Sequence, residues 1–74
     1  MPESSLGARI AAARREAGLT QAELADVLGV SEDTIANYES GRRQPRMETL
    51  RAIAVALDTT AGRLVDDEPR GVPA

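Results

Sequence analysis

Apolar residues recur at helical spacing in five short stretches of the chain, separated by glycines and by residues that cap helices. The first helix is predicted to begin after Ser4 or Ser5 and to run to about Ala17, where Gly18 ends it. Leu19 follows that glycine as the apolar residue that commonly packs back on the end of such a helix. The positions of the first helix that we expect to be buried are Leu6, Ile10, Ala13 and Ala17.

The second and third helices are short and lie close together in the sequence. Thr20 and Glu23 stand at the spacing of a capping box, in which each side chain accepts from the backbone N–H of the other residue. The second helix then runs to Leu28 and stops at Gly29, after about two turns. Ser31 is predicted to cap the third helix, which the next glycine ends.

A polar loop through Pro45 leads to two further helices. The fourth is predicted over residues 47–57, and Thr60 is placed to cap a short fifth helix. No stretch shows the alternation of a strand, so the sequence predicts an all-α bundle of five short helices. Helices this short are not stable alone and must pack on one another. The predicted core comprises Leu6, Ile10, Leu19, Leu24, Leu28, Val30, Ile35, Leu50, Ile53 and Leu57.

The chain of 74 residues has room for one domain. Residues 1–5 are expected to be a flexible N-terminus, residues 6–66 the folded domain, and residues 67–74 a flexible tail. The tail begins with acidic residues and contains two prolines, which favour irregular structure. The adjacent carboxylates of Asp66 and Asp67 are interpreted as solvated charge.

The composition argues against catalysis and against metal binding. The sequence contains no histidine and no cysteine, and all nine basic residues are arginine. The commonest general base, the commonest metal ligand and the thiolate nucleophile are therefore absent. No glycine-rich phosphate loop, EF-hand pattern or zinc pattern is present. We expect a protein that is not an enzyme and that uses no cofactor or metal.

The arrangement of charge leaves nucleic acid open as a partner despite a formal net charge of −3. Arginines and acidic residues are equal in number between Arg9 and Arg51, so the negative excess comes from outside this stretch. The one dense basic cluster lies in residues 41–46. Because the local field at a binding face matters more than the sum, this cluster is a candidate surface for phosphate groups.

Residues 28–31 join the second and third helices through Leu, Gly, Val and Ser. Two capped helices with a short turn that contains glycine form the geometry of the helix-turn-helix, whose second helix enters the major groove of DNA. An ordinary helical corner in a small bundle has the same spacing. The spacing by itself leaves both interpretations open.

Longer stretches of the chain resemble the lambda-repressor-like helix-turn-helix family, also described as the Cro or xenobiotic-response-element type. The similar stretches are Leu19 to Ala25, Leu28 to Ser31, Thr34 to Arg43, and then Pro45 with Thr49 and Leu50. The resemblance extends over about residues 6–65, and caps, glycines, core positions and loop match together. It implies a five-helix fold in which helices two and three form the motif and the third helix, starting near Ser31, reads an operator.

The resemblance also implies roles for individual residues. The base-reading positions are Glu32, Asp33, Thr34 and Asn37. The positions that match contacts to the DNA backbone are Gln21, Arg42, Arg43 and Arg46, and the hydroxyl of Tyr38 is expected to reach solvent or a phosphate of that backbone. Arg14 and Glu39 match a structural ion pair. For the polar residues the alternative is an ordinary solvated or helix-end side chain, and for Tyr38 it is a place in the core.

Two features depart from the family's pattern. Glu32 and Asp33 put two carboxylates at the tip of the recognition helix, where they repel phosphates. They can accept from the amino group of cytosine, or they can serve only the helix dipole. Thr59 stands where the family usually carries an apolar residue, which leaves the register of the fifth helix open.

The expected function is sequence-specific binding of double-stranded DNA by a bacterial transcriptional regulator, of the repressor type. The alternative is an antitoxin or adaptor module whose main partner is another protein, such as a toxin or a sensor domain. A module this small usually binds as two copies on adjacent half-sites, so a homodimer is expected. The resemblance places the interface on the fifth helix with Leu57, Leu64 and Val65, unless these residues only close the monomer's core.

No apolar run approaches the ~20 residues that cross a bilayer, and the N-terminus lacks the layout of a signal peptide. We therefore expect no membrane partner, a cytoplasmic location, and association with the nucleoid when DNA is bound. No small-molecule ligand is expected.

Overall fold

A computed structural model describes residues 5–65, which form five helices and no strand. The helices are α1 (Leu6–Glu16), α2 (Gln21–Leu28), α3 (Glu32–Ser40), α4 (Met47–Ala56) and α5 (Ala61–Val65). The predicted all-α, five-helix fold is confirmed. The predicted N-terminal segment before Ser5, the domain boundary at residue 66 and the tail over residues 67–74 lie outside the described residues.

Hydroxyl groups cap the first three helices where the sequence predicts them. The Ser5 hydroxyl accepts from a backbone N–H of α1 at 3.1 Å. Thr20 and Glu23 form the predicted capping box, with bonds of 3.0 and 2.9 Å between side chain and backbone. The Ser31 hydroxyl accepts from the N–H of Thr34 at 3.1 Å. Each bond satisfies an N–H that the helix itself leaves without a partner, which stabilises the start of the helix.

Glycines in the left-handed region end α2 and α3. Gly29 has a φ of 73° and Gly41 a φ of 86°, a conformation that L side chains rarely adopt. At the end of α2 the N–H of Val30 donates to the carbonyl oxygen of Ala25 at 3.0 Å, which closes the last turn. The predicted burial of Val30 is wrong, since 36% of this residue is exposed. The turn holds its backbone against α2 but leaves its side chain at the surface.

The core is formed by one side of each helix. Four large side chains are fully buried: Ile10, Leu24, Ile35 and Ile53. The other buried apolar residues are Ala11, Ala25, Tyr38, Leu50, Ala54, Leu57 and Leu64. Leu6, Leu19 and Leu28 pack against this cluster and remain partly exposed. Tertiary packing therefore supplies the stability that helices of this length lack in isolation.

The buried side of α1 differs from the predicted one. Ala17 is exposed, whereas Gly7 and Arg14 are buried. A Cβ placed on Gly7 would lie 2.4 Å from the carbonyl oxygen of Glu39 and 2.6 Å from that of Tyr38. The helices α1 and α3 thus meet backbone to backbone at this glycine, because no side chain keeps them apart. This contact sets how closely α3 lies against the bundle.

Candidate nucleic-acid interface

Residues 29–31 separate α2 from α3, so the two helices form the helix-turn-helix geometry that the sequence predicts. The helix α3 packs on both α1 and α2. Its inner side is buried through Ile35 and Tyr38, while Glu32 and Asp33 in its first turn are exposed. The bundle therefore supports α3 from behind and presents its opening turn to solvent.

The predicted base-reading residues all belong to α3. Glu32 and Asp33 are exposed, and Thr34 and Asn37 are half-buried. The Thr34 hydroxyl lies 2.9 Å from the hydroxyl of Ser31, so it is tied to the residue that caps the helix. Three of the four residues are consecutive in the first turn, and Asn37 lies about one turn further along the helix.

Arg14, Glu39 and Gln21 form a hydrogen-bonded network that joins α1, α2 and α3. Arg14 Nε donates to Glu39 Oε2 at 2.7 Å, and Arg14 Nη2 donates to Oε1 at 3.1 Å. The remaining nitrogen of the guanidinium, Nη1, donates to the carbonyl oxygen of Leu19 at 2.8 Å. Gln21 Nε2 donates to Glu39 Oε1 at 3.0 Å. The side chains of Arg14 and Glu39 are only 10% and 7% exposed, so water screens this ion pair weakly.

The network shifts the titration of both charged groups. Burial by itself would raise the pKa of Glu39, but hydrogen bonds from Arg14 and Gln21 and the nearby charges of Arg14 and Arg15 lower it below its ordinary value. The pKa of Arg14 is raised, chiefly by its hydrogen bond to Glu39, against the opposing effect of burial. The charged forms of both partners are therefore favoured, as the two parallel N–H···O bonds of an arginine–carboxylate pair require.

The same network changes the interpretation of Gln21. The family resemblance makes it a contact to the DNA backbone at the start of α2, but in the structure the residue is half-buried and its amide bonds to Glu39. A carboxylate can only accept, so the Nε2 end of the amide faces Glu39 and uses one of its two N–H groups there. The other N–H remains for a second acceptor. This contact could not be predicted from the sequence, because its partners are 18 positions apart and meet only when α2 packs on α3.

The loop after α3 carries the predicted phosphate-contacting arginines Arg42, Arg43 and Arg46, and all three are exposed. The N–H of Arg43 donates to the carbonyl oxygen of Asn37 at 3.2 Å. The Arg43 guanidinium lies 5.9 Å from the centre of the Tyr38 ring, within reach of a cation–π interaction. Tyr38 is itself buried, so its ring belongs to the core. The guanidinium of Arg43 lies over the face of this ring. Neither contact was foreseen from the sequence.

Two of the three residues predicted for the dimer interface lie in the core of the described chain. Leu57 and Leu64 are buried in the monomer's own core, where only 6% and 2% of each residue is exposed. Side chains that already pack on all sides have little surface left for a second copy. Val65 is half exposed, and Val55 on α4 is more exposed still. Of the three residues predicted for the interface, only Val65 offers its side chain to a partner.

Within residues 5–65, no three His, Cys, Asp or Glu side chains are grouped so that they could hold a metal ion. No helix in the part of the chain that the structure describes is long and apolar enough to cross a membrane.

A glycine turn between two capped helices, an exposed tip on the second helix and an adjacent arginine loop define the helix-turn-helix class of domains. The model of the helix-turn-helix family HTH_3 matches residues 10–64. The chain belongs to this helix-turn-helix family, which confirms the lambda-repressor-like resemblance drawn from the sequence.

Relatives and solved structures of this type resemble the chain over most of its length. The chain is 38% identical over 64 residues to the immunity repressor protein of Bacillus phage phi105. This alignment covers 86% of this chain and 44% of the phage protein. The chain is 39% identical over 69 residues to the uncharacterised HTH-type transcriptional regulator y4dJ of Sinorhizobium fredii. That alignment covers 89% of this chain and 90% of y4dJ. The chain thus spans less than half of the phage protein and most of y4dJ.

The fold is also similar to that of the P22 c2 repressor in complex with the synthetic operator 9T. The two structures align with a TM-score of 0.80 at 31% sequence identity, over 86% of this chain and 97% of the repressor chain.

Proposed function

We propose that the chain is a transcriptional regulator of the repressor type that binds a specific operator in double-stranded DNA through α3. The arrangement of α3 carries the proposal, because a helix anchored behind and exposed at its first turn can enter the major groove. The proposal is supported by the similarity to the P22 c2 repressor, which is bound to an operator in its crystal structure.

Base reading is assigned to the exposed side of α3. Asn37 can bond the edge of adenine through two hydrogen bonds. Glu32 and Asp33 carry acceptors only, so they are suited to the amino groups of cytosine and adenine and unsuited to the acceptor edge of guanine. Acidic residues at the helix tip therefore favour some base pairs and reject others, at the cost of weaker attraction to phosphate.

Contacts to phosphates are assigned to the arginine loop and to the start of α2. Arg42, Arg43 and Arg46 supply positive charge that the tip of α3 lacks. Gln21 offers its second amide N–H at a helix N-terminus, where the helix dipole favours an anion. These contacts position the domain on the duplex and carry no sequence information by themselves.

Two copies are proposed to bind together on half-sites about one helical turn apart, ~34 Å, because one domain of this size makes only a small contact. Val65 and Val55 are two of the exposed apolar residues that are available to such a pair. Since an operator of a bacterial genome lies in the nucleoid, the proposal places the chain in the cytoplasm when it is bound.

Selection of random duplex DNA on the purified protein at low salt tests this function. The best sequence is then titrated against a scrambled duplex, and a variant with Arg42, Arg43 and Arg46 changed to glutamine serves as the control. We expect an enriched inverted repeat that binds at least ~10³-fold more tightly than the scrambled duplex. The control variant should lose affinity for both duplexes. Absence of enrichment would contradict the proposal.

A second candidate is an antitoxin or adaptor module that binds another protein. It is favoured by the two carboxylates exposed at the tip of α3, because a negative tip suits a basic protein surface better than a phosphate backbone. Weak, salt-sensitive DNA binding with no enriched sequence would support this candidate.

A further inference from the structure

The ring of Tyr38 lies where the core of the bundle meets the arginine loop. Only 8% of Tyr38 is exposed, so core packing fixes its ring near the end of α3. The guanidinium carbon of Arg43 lies over this ring, 5.9 Å from its centre. In the part of the chain that the structure describes this is the only cation–π contact, although Arg42 and Arg46 belong to the same loop. One of the three loop arginines is therefore held by a rigid group.

Hydrogen bonds place the backbone of Arg43 beside the same ring. Its N–H donates to the carbonyl oxygen of Asn37, the residue before Tyr38, at 3.2 Å. The Ser40 hydroxyl donates to that carbonyl oxygen at 3.3 Å and accepts from the N–H of Arg42 at 3.4 Å. The start of the loop is thus tied to the last turn of α3. Both the backbone and the guanidinium of Arg43 are placed by this helix.

A ring contact of this kind leaves the guanidinium able to bind an anion. The face of an aromatic ring attracts positive charge without the lone pairs that a carboxylate offers, so the N–H groups of the guanidinium remain available to a phosphate. Arg14 is the contrast, because its nitrogens donate to Glu39 and Leu19 inside the protein. An arginine side chain loses rotamer freedom when it is fixed on a phosphate, and one that is already held loses less.

We propose that Tyr38 is a positioning residue for DNA binding, whose ring holds the guanidinium of Arg43 in place for a phosphate of the duplex. The inference rests on the proposed phosphate contact of Arg43 and adds the residue through which α3 controls it. The role belongs to the ring and not to the hydroxyl group, since the guanidinium lies over the ring. The phosphate contact and the base-reading helix are thereby joined in one rigid unit.

NMR spectroscopy of the free protein tests the contact without DNA. An aromatic ring shields protons held over its face, so the δ protons of Arg43 should lie upfield of those of Arg42. Tyr38→Phe keeps the ring and should keep the shielding, whereas Tyr38→Leu should remove it. Thermal unfolding checks that both variants remain folded. Equal δ-proton shifts for Arg43 and Arg42 in the wild type would overturn the inference, and this outcome depends on no variant.

A double-mutant cycle tests the role in DNA binding. Both the selected operator and the scrambled duplex are titrated at low salt, because a phosphate contact is independent of sequence. Tyr38→Leu should weaken binding to both by about two- to fivefold, the effect of one cation–π contact at an exposed site. It should have no further effect in the Arg43→Ala background and its full effect in the Arg42→Ala background. Tyr38→Phe should restore most of the affinity that Tyr38→Leu loses.

Two outcomes of the titrations overturn the inference. An equal loss for Tyr38→Leu in the Arg43→Ala background would mean that Tyr38 acts through the packing of α3. A loss for Tyr38→Phe as large as that for Tyr38→Leu would assign the role to the hydroxyl group. Because the scrambled duplex reports the coupling by itself, the cycle still decides this inference if no operator is selected, an outcome that contradicts the proposed function alone.

Discussion

The two ends of α3 use the same chemical group in opposite ways. At the C-terminal end, the carboxylate of Glu39 is almost covered and accepts from Arg14 and Gln21. At the N-terminal end, the carboxylates of Glu32 and Asp33 are exposed. One end therefore joins three helices, and the other remains available to a ligand.

This difference shows how a short helix can present a binding surface. A helix of nine residues is not stable alone, so its position must come from tertiary contacts. Glu39 and the close contact at Gly7 supply such contacts at one end. At the other end Ile35 is buried in the core, while the carboxylates of Glu32 and Asp33 stay exposed. Substitutions at the anchored end should therefore change stability, whereas substitutions on the exposed side should change DNA affinity alone.

The largest effect is expected for Glu39→Ala, which should lower the free energy of unfolding by about 3–5 kcal/mol. The substitution leaves the buried guanidinium of Arg14 without its partner and removes the acceptor of Gln21. Urea denaturation followed by circular dichroism measures the change. Asp26→Ala, at an exposed acid in α2, is the control and should change stability by less than about 0.5 kcal/mol. Similar small losses for both variants would mean that Glu39 does not anchor α3.

Lowering the pH protonates Glu39 without removing its side chain. We expect a smaller loss of unfolding free energy than for Glu39→Ala, because a protonated carboxyl group can still accept a hydrogen bond. Since the pKa of Glu39 is lowered in the folded state, its contribution is complete above its unfolded value of about 4.3. The contribution is lost as the pH falls through the folded-state pKa. Unfolding measured at several pH values in this acidic range should show the decline. Glu39→Gln has no carboxyl group at this position to titrate, so its stability should decline less steeply with acid. Identical profiles for the two proteins would contradict a stabilising role of the Glu39 carboxylate.

Gly7→Ala tests the backbone contact between α1 and α3. The added methyl group would clash with carbonyl oxygens of α3, which cannot move without shifting the helix. We expect a loss of about 1–3 kcal/mol in unfolding free energy and weaker operator binding. Helix propensity by itself predicts the opposite sign, a gain of about 1 kcal/mol for alanine over glycine. A stabilised variant would therefore show that the two helices have room to separate.

Asn37→Ala tests the side of the helix that we assign to base reading, where this residue is half-buried. Its side chain is assigned to a base, so operator affinity should fall by about 1–3 kcal/mol while stability changes by less than about 0.5 kcal/mol. Titration of the operator and of a scrambled duplex separates base reading from general contact. Equal losses of affinity for the two duplexes would show that Asn37 does not read a base.

The smallest effect is expected for Arg43→Ala, in the loop that lies against the end of α3. A phosphate contact is independent of sequence, so affinity should weaken alike for all duplexes and the salt slope should fall by about one. Arg51→Ala, at an exposed position on α4 outside the loop, is the matched control and should leave the slope unchanged. An unchanged slope for Arg43→Ala would exclude the phosphate contact.

The sequence by itself determined where most helices begin and end, because those signals are local. The Thr20–Glu23 capping box, the Ser31 cap and the left-handed Gly29 all act within three or four residues of the helix end that they define. The family resemblance likewise rests on the spacing of such residues along the chain. Helix order, the motif at α2 and α3 and the family could therefore be predicted from the sequence alone.

Only the tertiary structure decided which residues meet across helices. Gly7 gave no apolar signal, yet it lies against the backbone of α3, and Gln21 proved to share the carboxylate of Glu39. Leu57 and Leu64 have the same apolar chemistry whether they close a core or meet a second copy, and here they close the core. Periodicity shows that a residue is apolar and which side of a helix it occupies. Its partner depends on how the helices pack, which is a property of the whole chain.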